Sequence, residues 1–133
     1  MNNCKQIVHV DDDEDILAIT RMSLELIGGF EVTQYGSAKE ALENLPRVEP
    51  DLFLLDVMMP GMDGPELLAE IRKHPGHRST PVVFMTAKAD PAFSETLVNL
   101  GALACITKPF DPVALPEQLV GLLDERHRPS TLQ

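Results

Sequence analysis

An α/β fold built on a parallel sheet is the architecture this sequence predicts, and three observations predict it. Short apolar runs alternate with amphipathic stretches along the whole chain, in the order βαβαβαβαβα. Three of those runs, Ile7 to Val10, Leu52 to Leu55 and Val82 to Met85, are nearly continuous in apolar residues, as strands buried on both faces are. The connections are short, and most of the eleven prolines fall at junctions, among them Pro60, Pro81, Pro91 and Pro109. Parallel strands joined by short helical crossovers need helices on both faces of the sheet.

The elements follow in order. The first strand, Ile7 to Val10, is interrupted only by His9, which reads as a packed strand residue because no helical kinase-type histidine motif surrounds it. Ile16, Ile19, Leu24 and Ile27 fall on one helical stripe that Gly28-Gly29 ends. Phe30 to Tyr35 alternates apolar with polar residues, which suits an edge strand. Ser37 with Glu40 makes a capping-box pattern ahead of Ala41, Leu42 and Leu45, and Asp63 with Glu66 repeats it ahead of Leu67, Leu68 and Ile71. His74 and His77, beside Pro75-Gly76, read as loop residues. Phe93, Leu97 and Leu100 form the fourth stripe, with Gly101 as its stop, and Ala104 to Thr107 is a weaker fifth strand. Leu115, Leu119, Leu122 and Leu123 make the last stripe. Pro116 leaves two options there: the helix starts at it, or its first turn loses one hydrogen bond. One domain over residues 1–125 is expected, with a tail at 126–133 that frays.

Composition narrows the function. With 133 residues and 44% apolar content, the chain can bury a core without metal or disulfide staples. No apolar run approaches the roughly 18 residues of a membrane span, and no signal-peptide pattern opens the chain. Cys4 and Cys105 lie far apart in sequence and suit a reducing compartment, so a cytoplasmic location is expected. The histidines show no zinc-ligand spacing with them. A formal charge of −10 argues against nucleic acid or an anionic membrane as the main partner, and six aromatics leave little for stacking bases. Half of that charge sits in one run, Asp11-Asp12-Asp13-Glu14-Asp15.

In open α/β sheets, ligands collect beyond the carboxyl ends of the strands. The residues there are Asp11 and Asp12 after the first strand, Asp56 after the third, Thr86 after the fourth and Lys108 after the fifth. Asp13 and Asp15 suit a first helical turn, next to its positive dipole end. Three carboxylates brought together repel, and stay ionised only if a cation neutralises them; hard oxygen donors favour Mg²⁺ over zinc. A carboxylate nucleophile, a divalent ion, an ammonium and a hydroxyl donor form an inventory suited to phosphoryl transfer, since Asp can carry a covalent aspartyl phosphate.

At these residues the sequence resembles a response-regulator receiver domain of two-component signalling. The matching motifs are Val10-Asp11-Asp12, the segment Leu55-Asp56-Val57-Met58-Met59-Pro60-Gly61-Met62-Asp63-Gly64, then Met85-Thr86-Ala87 and Thr107-Lys108-Pro109-Phe110. They occur in the family's order and spacing and span nearly the whole chain. The resemblance implies that Asp56 is the phosphoacceptor. Asp12 would bind Mg²⁺ (or Mn²⁺) directly, Asp11 mainly through water, and the backbone carbonyl of Met58 would be a further ligand. Thr86 would donate its hydroxyl to a phosphoryl oxygen, and Lys108 would pair with the phosphate. The Lys108-Pro109 bond would be cis, aiming the ammonium inward. A flavodoxin-like, doubly wound sheet in strand order 2-1-3-4-5 is implied too. The first and fifth strands would then lie roughly 14 Å apart, too far for a Cys4–Cys105 disulfide.

The implied function is a signalling switch that takes a phosphoryl group from a sensor histidine kinase or histidine phosphotransfer protein and then binds a downstream protein target. It would act as a monomer or a weak phosphorylation-dependent dimer, without nucleic acid or membrane, and would catalyse only its own phosphorylation and dephosphorylation. The sequence departs from the family at Cys105, where many receivers have Tyr or Phe, and at Leu103, where the family is often polar. Leu103 reads either as a scattered surface leucine or, with Cys105, as part of an apolar partner surface on the face formed by helix 4, strand 5 and helix 5. A haloacid-dehalogenase-type phosphatase is the enzyme alternative, but its second aspartate is replaced by Met58. A calcium loop fails because Ile16 stands in place of the needed Gly and Met22 in place of the terminal Glu. No DNA-binding module follows the last helix, so direct transcription control by this chain is disfavoured; a receiver excised from a larger regulator or hybrid kinase stays open.

Overall fold

The computed structural model describes residues 5–88 and 90–126. Its five strands are β1 (Gln6–Val10), β2 (Glu31–Tyr35), β3 (Leu52–Asp56), β4 (Val82–Thr86) and β5 (Ala104–Thr107). They pair in parallel throughout, in the order β2-β1-β3-β4-β5. The three continuous apolar runs are the three inner strands, and the alternating run is an edge strand, as its pattern requires. The helices are α1 (Glu14–Met22), α2 (Ala38–Asn44), α3 (Gly64–Lys73), α4 (Pro91–Asn99) and α5 (Leu115–Arg126).

Alternation along each strand divides the core between two faces. Val8, Val10, Phe53, Leu55, Val82 and Phe84 pack with Ala41, Leu67, Leu68, Ile71 and Leu97 of α2, α3 and α4. Ile7, Leu52, Leu54, Val83, Met85 and Ile106 pack with Leu24 and with Leu115, Leu119 and Leu123 of α5 on the other face. Every one of these side chains is at least nine-tenths buried, and each large one contributes about 1.5–3 kcal/mol of hydrophobic stabilisation.

Caps explain where several helices begin. Asp63 and Glu66 form the complete capping box ahead of α3. Ser37 Oγ accepts from the Glu40 backbone N–H, but the Glu40 carboxylate reaches Gly36 N–H rather than Ser37, so that box closes one residue early. Pro116 is the second residue of α5, where a missing N–H costs nothing. Gly29 and Gly101 have φ of +72° and +115°, which lets the chain leave α1 and α4 sharply.

Three local expectations are corrected. The stripe Ile16, Ile19, Leu24, Ile27 does not face the core as a unit: Ile19 and Ile27 are 39% and 54% exposed, while Thr20, Ser23 and Leu24 are buried. In α1 the inward position next to Ile19 is taken by Thr20, and beyond it a π-helical segment, Ser23–Ile27, continues α1 and rotates Ile27 out of its phase. It lets Ser23 Oγ donate to the Pro112 carbonyl at 2.5 Å. Leu100 is 57% exposed because it caps α4 rather than extending its buried stripe. His77 is a core residue and not a plain loop residue: it is 3% exposed, lies 3.2 Å from the Leu45 carbonyl through Nε2, and stands edge-on to Phe53. Cys105 is a free thiol. Cys4 and residues 127–133 of the tail expected to fray lie outside the described residues, and residue 126, the first of that tail, is still the last residue of α5.

Candidate functional site

The carboxyl edge of the sheet gathers the polar residues that the sequence nominates. Asp56 and Thr86 are the last residues of β3 and β4. Asp11 continues β1, its N–H donating to the Tyr35 carbonyl of β2. Lys108 continues β5, its N–H donating to the Thr86 carbonyl at 2.7 Å, so the backbone ladder sets Lys108 beside Thr86. The Lys108-Pro109 peptide is cis. The loop after β3 turns into α3 at Gly64, where a side chain is not tolerated: a Cβ would lie 2.5 Å from the Asp56 carbonyl oxygen and 3.0 Å from the Phe84 ring. The Asp56 backbone and the start of α3 are therefore in direct contact.

Side chains then converge. Oxygens of Asp11, Asp12 and Asp56 lie within 4.8 Å of one another, a grouping of three potential ligands found nowhere else among the described residues. Asp11 and Asp56 are buried, whereas Asp12 is exposed and opens the cluster to solvent. Lys108 Nζ donates to Asp11 Oδ2 at 2.9 Å and to Asp56 Oδ1 at 3.0 Å. One ammonium against three carboxylates leaves the cluster short of positive charge. All the ligand atoms are carboxylate oxygens, a donor set that fits a hard divalent cation.

The electrostatics follow from that imbalance. Burial pushes the Asp56 carboxyl up to about 6; the Lys108 hydrogen bond opposes this, and the charges of Asp11 and Asp12 add to it. Burial pulls the Lys108 ammonium down, but its hydrogen bonds to Asp11 and Asp56 outweigh burial and leave it above the ordinary lysine value. Thr86, 1% exposed, accepts the Lys88 N–H on its Oγ at 3.0 Å, which fixes the hydroxyl at the strand end. Met58 lies two residues past β3 with its side chain 76% exposed, so that side chain is no part of the cluster.

The remaining nominated residues fall elsewhere. Asp13 is the N-cap of α1, accepting from the N–H groups of Asp15 and Ile16, and Glu14 and Asp15 occupy its first turn. Leu103 is half-buried against the α5 side of the core and Cys105 against the α4 side, so the pair straddles the edge of the sheet. Cys105 Sγ donates to the Ser94 carbonyl at 3.8 Å, and burial pushes its thiol up. Sequence reasoning missed one neighbour of the cluster: His9 is fully buried with Nε2 4.0 Å from Asp11 Oδ2. The available signal was its spacing, since residues 9 and 11 point to the same side of an extended strand.

Comparison with known proteins agrees with this geometry. Residues 7–120 match the family model for the response regulator receiver domain. The probable transcriptional regulator ycf27 of Cyanophora paradoxa is 36% identical over 96% of this chain and 52% of its own length. The DNA-binding transcriptional regulator NtrC of Escherichia coli K12 is 35% identical over 93% of this chain and 26% of its own. The chain thus spans about half or a quarter of the length of these relatives. Among solved structures, the chemotaxis protein CheY4 of Vibrio cholerae superposes with a TM-score of 0.83 at 27% identity, covering 90% of this chain and 98% of that one. A CheY-like receiver domain protein of Methanospirillum hungatei gives 0.81 at 35% identity, covering 93% and 97%. No helix among the described residues is long and apolar enough to cross a membrane. The chain belongs to the response regulator receiver domain family, the phosphorylation-dependent signalling switches of two-component systems.

Proposed function

We propose that Asp56 accepts a phosphoryl group from the phosphohistidine of a kinase or phosphotransfer protein, and that the chain then signals by binding a protein target. The observation that carries this reading is the bridging of Asp11 and Asp56 by Lys108 at 2.9 and 3.0 Å, at the strand ends where Asp12 and Thr86 also lie. An Asp56 carboxylate oxygen attacks phosphorus. The new O–P bond forms as the donor's N–P bond breaks, and the imidazole departs with the electron pair. Asp11, Asp12, Asp56 and the Met58 carbonyl would hold Mg²⁺, or Mn²⁺ in its place. When bound, the ion supplies charge neutralisation for the phosphoryl oxygens. Lys108 pairs with the added phosphate charge, and the Thr86 hydroxyl hydrogen, not committed by its acceptor role towards Lys88, donates to a phosphoryl oxygen.

Phosphorylation replaces a charge of −1 at Asp56 with roughly −2 and gives Thr86 and Lys108 a new partner. That differential interaction can bias a two-state surface. Leu103 and Cys105, together with exposed Val98 on α4 and Val120 on α5, support an output surface around β5. A cytoplasmic setting and self-catalysed dephosphorylation belong to the same reading. An aspartyl phosphatase of the haloacid-dehalogenase type has no supporting feature, since the side chain at position 58 carries no acid.

The test is incubation with acetyl phosphate and Mg²⁺ followed by intact mass. Wild type gains one acid-labile phosphoryl group, and EDTA prevents it. A gain of the same size in Asp56→Asn would sink the assignment.

A further inference from the structure

We propose that His9 is a positioning residue for this chemistry: its Nε2–H is a reserve donor that takes over Asp11 Oδ2 when Lys108 leaves it for the phosphoryl group. The inference rests on the function proposed above and deepens it. It starts from His9 Nε2, among the described residues the one buried side-chain polar atom beside the site that has no hydrogen-bond partner.

Which ring nitrogen carries the proton follows from the neighbours. Arg21 Nε donates to Gln34 Oε1 at 3.2 Å, which fixes the orientation of that amide. Gln34 Nε2 then faces two acceptors, the Leu17 carbonyl at 2.8 Å and His9 Nδ1 at 3.0 Å. Leu17 takes one amide hydrogen and His9 Nδ1 takes the other. Nδ1 is therefore the lone-pair nitrogen, and the single proton of the neutral ring sits on Nε2. The chain from α1 through Gln34 of β2 locks the ring in one tautomer and aims a buried N–H at the acidic cluster.

That N–H has nothing to do in the unphosphorylated site. Asp11 Oδ1 accepts from the Asp13 N–H at 2.9 Å, and Asp11 Oδ2 accepts from Lys108 at 2.9 Å, so both oxygens are served. His9 Nε2 waits 4.0 Å from Oδ2, too far for a hydrogen bond. Lys108 is already 3.0 Å from Asp56, and the doubled negative charge of a phosphorylated Asp56 draws it there. Asp11, which would face the ion mainly through water, then has no protein donor left on Oδ2 inside a fully buried side chain. A closure of about 1 Å satisfies both that oxygen and the idle N–H, each of which is costly to leave unpaired. The histidine contact thus exists only in the phosphorylated state, and by that difference favours it.

The experiment uses the full chain with ¹⁵N-labelled histidine, Mg²⁺ and beryllium fluoride as phosphoryl analogue. The His9 Nε2–H proton moves downfield when the analogue binds. His9→Phe keeps the ring volume, loses the donor and binds beryllium fluoride about tenfold more weakly. His9→Gln, whose amide nitrogen reaches the Nε2 position, restores most of that loss. A resonance that stays in place on saturation, or wild-type affinity in His9→Phe, overturns the proposal; the first result needs no variant to fold. Wild type that neither binds the analogue nor gains a phosphoryl group on Asp56 removes the underlying reading, and this inference with it.

Discussion

Replacing Asp56 by asparagine should make the protein more stable while disabling it. Asp56 is 5% exposed, and its carboxyl sits with two others within 4.8 Å. Its acidity shifts from 3.8 to about 6, chiefly through burial. A folded-state pKa raised above the unfolded value means that the native state binds the proton more tightly. The associated stability is fully present below about pH 4 and is lost as pH rises to 6. At pH 7 the difference of about 2.2 pH units corresponds to about 3 kcal/mol against folding. The Asp56→Asn substitution removes that charge, keeps the volume and leaves an acceptor oxygen for Lys108. Only the charge-assisted part of the Lys108 bond is forfeited, and a net gain of about 1–3 kcal/mol remains. The assay is urea unfolding followed by circular dichroism, in EDTA, at pH 7 and pH 5. The variant's advantage at pH 7 should shrink by about half at pH 5. Saturating Mg²⁺ should narrow it as well, because the ion adds RT ln(1 + [Mg²⁺]/Kd) to wild type and less to the variant. A variant less stable than wild type in EDTA at pH 7, or an advantage that ignores pH, would refute the reasoning.

Other perturbations probe separate links. Burial, then the charges of Lys108 and Arg21, pull His9 down to about 3, with Asp11 the facing carboxylate; its folded pKa is depressed, so stability present above pH 6.5 is lost as pH falls. In the Asp56→Asn background, urea unfolding should show a loss of about 2 kcal/mol from about pH 7.5 to about pH 5, absent when His9→Phe is added. Gly64→Ala should cost about 1–3 kcal/mol by forcing α3 off the end of β3, read as a lower unfolding midpoint; an unchanged midpoint would contradict the close approach there. Thr86→Ala should slow phosphorylation by acetyl phosphate about a hundredfold and leave Mg²⁺ affinity intact, measured by mass spectrometry and by titration. Leu103→Asp should weaken target binding in a pull-down on the phosphorylated protein; equal capture would remove Leu103 from the output surface.

Much of this protein is written in local patterns. Runs such as Leu52–Leu55 read as strands covered on both sides, and Asp63 with Glu66 reads as a helix start, because both patterns reflect short-range hydrogen bonding and burial. The convergence of the candidate residues was legible for the same reason: in a parallel sheet every strand ends at the same edge, so the residues that follow apolar runs meet. What the tertiary structure alone decided were features that depend on phase and on partners distant in sequence. The π-helical segment Ser23–Ile27 turned Ile27 outward, a change of helical phase that apolar spacing does not encode. His77 became a core residue because Leu45 and Phe53 lie where its ring needs them. His9 is the packed strand residue that the sequence predicts, but its partner Gln34, 25 residues away on β2, was supplied by the tertiary structure. Sequence determined which groups reach the carboxyl edge; packing determined which of them are buried, which are paired, and which N–H is left waiting.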